Sequence, residues 1–131
     1  MAKPNTAAGL ACPCGKGDYA HCCLPYHEGA AAPTAEALMR SRYSAYVLGL
    51  MDYVAATWHA STRPAASDLQ HDAAVKWLGL EVKKFTPGQD EATVEFVARS
   101  KSEGRAQRLH EVSRFVKENG RWFYADGVFP G

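Results

Sequence analysis

The residues best equipped for chemistry gather near the start of the chain. Cys12, Cys14, Cys22 and Cys23 are its four cysteines, and the rest of the 131 residues contain none. Thiolates in two close pairs suit one tetrahedral divalent cation, and zinc is the cation of that donor set. The competing chemistry is oxidation. A disulfide framework spreads its cross-links, because long closed loops constrain the unfolded chain most, and a bridge between the neighbours Cys22 and Cys23 is strained. Cross-pairing of the doublets remains open but would staple only a small loop. No thioredoxin-like βαβ pattern surrounds the cysteines. Zinc is therefore the expected cofactor, with redox sensing by released thiolates as the alternative.

The spacing fits that expectation mechanically. Pro13 biases Cys12 toward extended backbone. Gly15 and Gly17 permit a tight turn whose N–H groups can point at sulfur. Lys3, Lys16, a protonated His21 and backbone amides are the candidates to offset the excess negative charge of four thiolates on one cation. A segment of about thirty residues cannot bury a core of its own, whereas zinc binding in small peptides is worth about 10–16 kcal/mol. The resulting knuckle is expected to present Lys16, Tyr19 and His21 for partner contact.

The run Cys12-Pro-Cys-Gly-Lys-Gly-Asp-Tyr-Ala-His-Cys-Cys23 resembles the SEC-C motif, a small zinc-binding element found at the tail of the SecA translocation motor and in many bacterial proteins. The resemblance implies that Cys12, Cys14, Cys22 and Cys23 are the zinc ligands and that a protein is the partner. The gap between the doublets is one residue shorter than usual, and Lys16 stands where serine is typical.

The elements that follow are read from periodicity. The cysteine module spans residues 1–30, and a second domain spans 31–131. Thr34 is a candidate N-cap with Glu36 in the first turn. Leu38, Met39, Tyr43, Tyr46, Val47 and Leu50 recur at helical steps, giving a helix to about Leu48. Gly49 interrupts it, and Met51 to Trp58 is expected to be a second short helix. Asp68 to Val75 is expected to be a third. The period then changes to two: Leu78, Leu80 and Val82 alternate up to Thr86-Pro87-Gly88. Further strands are expected over Ala92–Lys101, Gln107–Lys117 and Arg121–Val128, with Asn119-Gly120 as a two-residue hairpin turn. Helices followed by an antiparallel four-strand meander make an α+β layout, with the helices covering one face of the sheet.

This half resembles the bacterial YchJ-like family, through Leu38-Met-Arg-Ser-Arg-Tyr-Ser-Ala-Tyr46, Thr57-Trp-His59, Trp77-Leu-Gly-Leu80 and the run from Ser113 to Gly127. Val112 stands where arginine is usual. The resemblance implies a nuclear-transport-factor-2-like (cystatin-like) cone, helices cupped in a curved antiparallel sheet behind the zinc knuckle. It assigns no activity.

Such cones enclose pockets, and pockets are where ligands bind. The candidate pocket residues are Arg40, Arg42, Tyr43, His59, Trp77, Arg114, Trp122 and Asp126, with Tyr46, Asp52, Trp58, His110 and Tyr124 as further lining. Arg42 is a candidate buried ion-pair partner of Asp126 or Glu111. The bland alternative is that the aromatic residues pack the core and His59 caps a helix. No nucleophile–base pair or phosphate-cradling loop is evident, so catalysis has no support in the sequence. The leading expectation is a zinc-binding adaptor, and the second is a small-molecule-binding or catalytic cone with a pocket near Arg42, His59 and Trp122.

Composition excludes other classes. Hydrophobic residues are 47% and charged residues 22%, which rules out whole-chain disorder, collagen and coiled coil. The net charge of +1 gives no bulk argument for nucleic acid. The stretch from Arg99 to Arg121 is locally basic, which leaves RNA, the ribosome or an acidic protein as candidate partners; solubility and edge protection explain it as well. No apolar run approaches the roughly 20 residues of a membrane span. No apolar stretch precedes Cys12, so a secretory signal is not expected and the expected location is cytoplasmic.

Overall fold

The structure, a computed structural model, describes residues 10–130. Lys3 lies outside them. The elements run as a short helix α1 (Leu24–His27), the long helix α2 (Ala35–Leu48), a short helix α3 (Met51–Ala56) and four strands, β1 (Val75–Thr86), β2 (Glu91–Ser102), β3 (Arg105–Glu118) and β4 (Arg121–Val128). The strands form one antiparallel sheet in the order β1-β2-β3-β4. None of the described helices is long and apolar enough to cross a membrane. The fold is α+β, with the helices against one face of the sheet.

Local chemistry sets the helix ends. The Thr34 hydroxyl accepts from the Ala37 amide at 3.0 Å, and α2 ends on Gly49 at φ 78, a left-handed position that favours glycine. Helix α3 stops at Ala56 rather than at Trp58, because the chain there turns to run beside β4. The Tyr124 amide donates to Thr57 O at 2.9 Å, and the His59 amide donates to Tyr124 O at 2.7 Å. This segment covers the outer edge of the sheet.

The helix expected over Asp68–Val75 does not form. A single 3-10 turn occupies Ala66–Asp68, and Val75 already opens β1. Residues 70–74 are all exposed, so a helix there would have no apolar face to bury.

The sheet alternates as expected, with corrections at its bulges. On the helix-facing side Ala92, Val94, Phe96 and Ala98 of β2 sit opposite Phe115, Ser113, Glu111 and Leu109 of β3. In β1 the register shifts between Trp77 and Gly79 and again between Val82 and Lys84. The inward set is therefore Trp77, Leu80, Val82 and Phe85, packed on the core, while Leu78 is 59% exposed. One extra residue in a strand turns its neighbours to the other face. A third shift, between Arg114 and Phe115, re-phases β4.

A single core joins the two halves of the chain. Cys12, Cys14 and Cys23 belong to the same buried cluster as Ala35, Leu38, Met39 and Tyr43 of α2 and Val94, Phe96 and Phe115 of the sheet.

Candidate functional site

The four cysteines converge. Their sulfurs all lie within 4.8 Å of one another, with Cys14 and Cys22 3.5 Å apart and Cys22 and Cys23 4.0 Å apart. A disulfide bond is about 2.05 Å long, so these are free thiols. A tetrahedron of sulfurs about 2.3 Å from one ion has edges of about 3.8 Å. The donor set and its size therefore fit a divalent cation.

Backbone geometry produces this convergence. The Cys12 amide donates to Gly17 O at 2.7 Å, and the Gly15 amide donates to Cys12 O at 2.9 Å, with Gly15 at φ 86. This knuckle aims the first doublet inward, and a 3-10 turn at Tyr19–His21 delivers the second.

Protonation supports the same fit. Cys14 is lowered to about 5, chiefly because the Cys23 thiol hydrogen-bonds to it, with the Lys16 amide also pointing at its sulfur. Cys22 is pushed up to about 12 by burial and by the neighbouring sulfurs. Cys23 is raised because its thiol is the one given to Cys14, and burial adds to this. The cluster holds one thiolate readily; several together need a cation. A zinc ion held by Cys12, Cys14, Cys22 and Cys23 would supply a cross-link, since four protein ligands leave no open position for substrate.

Residues of α2 lock this module in place. Ser44, fully buried, donates to Cys23 Sγ at 3.3 Å and lies 3.5 Å from Cys12 Sγ. Arg40 donates to Cys14 O at 3.1 Å and to Glu36 at 3.0 Å, so it ties the module to the helix and does not line the central cavity. The Tyr19 hydroxyl donates to His27 Nδ1 at 2.7 Å, and His27 Nε2 donates to Ser41 O at 2.8 Å. Tyr19 is therefore part of the packing. Lys16 and His21 stay open, with side chains 62% and 88% exposed. They rim a polar hollow that also touches Cys22, Tyr26 and Arg40.

A second feature lies between α2 and the sheet, a cavity of about 390 Å³ lined by aromatic side chains, among them Tyr43, Tyr46, Trp58, Trp77, Phe115 and Tyr124. Leu109 and Phe129, 38% and 63% exposed, stand at its lining and open it to solvent. Two ionisable groups line it as well, Arg42 and Glu111, only 6% and 7% exposed. The Arg42 guanidinium stacks on Trp58 and Tyr124, 5.1 and 4.7 Å from the ring centroids. Its Nη1 donates to Val54 O at 2.9 Å and to Thr57 Oγ1 at 2.7 Å. Burial lowers its pKa, with the field of Tyr46, Tyr124, Tyr53 and Glu111 opposing that shift, and an arginine so placed stays protonated. Glu111 Oε2 accepts from Tyr124 and from Ser113, each at 2.8 Å. Burial, and then the hydrogen bond to that carboxylate, raises the Tyr124 hydroxyl well above the usual phenol range.

Of the pocket residues expected from sequence, Arg42, Tyr43 and Trp77 line this cavity, as do Tyr46, Trp58 and Tyr124. The others lie elsewhere. Arg114 and Asp126 form a two-pronged ion pair with both contacts at 2.9 Å, joined by Glu91, on the opposite face of the sheet. His110 pairs with Glu95 at 2.7 Å on that same face. Strand alternation separates these side chains from Glu111 and Ser113. Trp122 is buried in the shared core with Lys117 over its ring. His59 bonds Ser61 and Glu118 outside the cavity, and Asp52 is exposed in the first turn of α3. The sequence reading missed Ser44, His27 and the free face of Glu111. The signal for Ser44 was available: small Ser41 and Ser44 interrupt an apolar helix face where another segment approaches closely.

Comparison with known proteins agrees with this architecture. The family described as "YchJ, middle NTF2-like domain" matches residues 34–127. A UPF0225 protein of Chromobacterium violaceum is 56% identical, covering 96% of this chain and 98% of its own. A UPF0225 protein of Bordetella pertussis is also 56% identical, covering 95% and 97%. Among solved structures, a SEC-C motif containing protein from Rhodopseudomonas palustris superposes with a TM-score of 0.79 at 34% identity, over 93% of this chain and all (100%) of that one. A SEC-C motif containing protein from Psychrobacter arcticus superposes with a TM-score of 0.80 at 32% identity, over 95% and 85%. With its cysteine knuckle seated on a four-stranded NTF2-like domain, the chain belongs to the YchJ-like, UPF0225 family.

Proposed function

We propose that this chain is a small-molecule-binding domain whose cysteine module carries structural zinc. One observation supports the binding reading above the rest: a buried arginine lines an aromatic cavity of about 390 Å³ that opens to solvent. Burying a cation beside apolar walls is costly, and apolar walls with a few placed polar groups are the form that small-molecule sites take. Four free thiols fit a reducing, cytoplasmic setting.

The test uses N-phenyl-1-naphthylamine, a neutral dye that brightens in apolar surroundings. Its fluorescence should rise on the wild type and stay low on Ala98→Phe, which fills the cavity from β2. No rise on the wild type, or an equal rise on a folded Ala98→Phe protein, refutes the reading.

The exposure of Lys16 and His21 beside the polar hollow favours a second reading, a zinc-binding adaptor that meets a protein partner through that face. Tyr19 would serve it through folding, since its hydroxyl is bound to His27. A Lys16→Glu, His21→Glu protein that captures the same partners as wild type would end that reading.

A further inference from the structure

The polar chemistry inside the cavity narrows the ligand. Nη1 of Arg42 is fully used by Val54 O and Thr57 Oγ1, and among the described residues Nε and Nη2 have no hydrogen-bond partner. Glu111 Oε2 takes two hydroxyls, and Oε1 has no partner among the described residues. No buried side-chain nitrogen or oxygen among those residues is both unpartnered and sealed from solvent. The free atoms of Arg42 and Glu111 therefore keep some access to solvent, and the cavity is the opening that both side chains line.

The two groups do not satisfy each other. No nitrogen of Arg42 comes within 4.0 Å of a Glu111 oxygen, although the carboxylate's field reaches the guanidinium. Tyr124 joins them instead, its ring under the guanidinium and its hydroxyl on the carboxylate. An apolar cavity thus holds a donor and an acceptor, charge-balanced as a pair and unsatisfied as individuals.

A ligand of net charge disturbs that balance between two largely buried groups, which is costly. A neutral ligand with an acceptor beside a donor satisfies both groups and leaves the charges paired. The surrounding rings favour a flat, unsaturated body.

We infer that the cavity is a binding site for a neutral planar cyclic amide, whose carbonyl accepts from Arg42 and whose ring N–H donates to Glu111. The inference rests on the ligand-binding reading above and specifies its ligand class.

The experiment titrates three probes into the full chain by calorimetry: 2-quinolone, N-methyl-2-quinolone, and quinoline-2-carboxylate. On wild type, 2-quinolone should bind tightest. Blocking its N–H with methyl leaves a buried acceptor unmet, which should weaken binding by about tenfold or more. The carboxylate should be weaker by a similar factor. Glu111→Gln keeps the shape but removes the negative charge, so the carboxylate should gain about tenfold or more on that variant. Ala98→Phe should abolish binding of all three. Equal binding of the parent and N-methyl lactams, a carboxylate that binds wild type more tightly, or 2-quinolone binding that survives Ala98→Phe overturns the inference. If N-phenyl-1-naphthylamine enters the wild-type cavity and no quinolone does, this inference alone falls. If the dye fails as well, the ligand-binding reading falls with it.

Discussion

The hydroxyl of Ser44 donates to Cys23 Sγ at 3.3 Å and lies 3.5 Å from Cys12 Sγ. One buried side chain of α2 therefore touches a sulfur from each doublet. A hydroxyl in that position stabilises thiolate and orients it, so the helix would act on a metal held there without supplying a ligand.

Ser44→Ala should weaken zinc retention by about 10–100-fold, as loss of an outer-shell hydrogen bond does elsewhere. Competition with a chromophoric chelator measures this directly. Affinity equal to wild type would show that the contact is only packing.

Removing the metal should unsettle far more than the leader. The purified chain should carry one zinc per molecule. Chelation or Cys22→Ser should lower the melting temperature by roughly 10 °C or more, for a loss of about 3 kcal/mol. Because the cysteines share a core with α2, amide signals of Ala35, Leu38 and Met39 should broaden together with those of residues 10–30. A chelated chain whose α2 signals stay sharp would contradict this.

His27 gives the fold a pH dependence. Burial lowers its pKa below 6.5, against a partly offsetting hydrogen bond to Ser41 O. The unfolded chain then binds more protons than the folded one as pH drops below about 6.5, so stability is fully present above that pH and declines below it. An NMR titration should find His27 titrating below 6.5, with the proton of the neutral ring on Nε2. Tyr19→Phe removes the hydroxyl bonded to Nδ1 and should cost about 1 kcal/mol. A His27 that titrates at or above 6.5 would exclude the neutral, Ser41-bound form.

Gly127 leaves room for Glu111. A Cβ added there would lie 2.1 Å from Glu111 Oε2. Gly127→Ala should therefore displace the carboxylate from Tyr124 and Ser113 and destabilise the fold by about 1–3 kcal/mol. In combination with Glu111→Ala the two losses should be less than additive, since the second change removes the group that the first collides with. Strict additivity in thermal melts would mean that the two positions act independently.

Much of this was legible in the sequence because it rests on local rules. Four cysteines in two pairs announce sulfurs that converge on one point, Thr34 and Gly49 bound α2, and Asn119-Gly120 fixes the last hairpin, both residues having positive φ (53 and 79). The rest depends on long-range placement. The bulge that turns Leu78 outward and Trp77 inward is invisible to a period of two. The face occupied by Arg114 and Asp126 is decided by register with the neighbouring strands, so charge and aromatic content alone put them in the wrong place. The donor and acceptor of the cavity come from a helix and a strand far apart in the chain, and only folding brings Arg42 and Glu111 to one space.

Helix α2 faces two ways, with Arg40, Ser41 and Ser44 holding the knuckle and Arg42, Tyr43 and Tyr46 walling the cavity. A truncation that begins at residue 31 would therefore strip Cys12, Cys14 and Cys23 from Leu38 and Met39 and bare a greasy flank prone to aggregation. The junction near residue 31 is thus spanned by one continuous set of buried side chains.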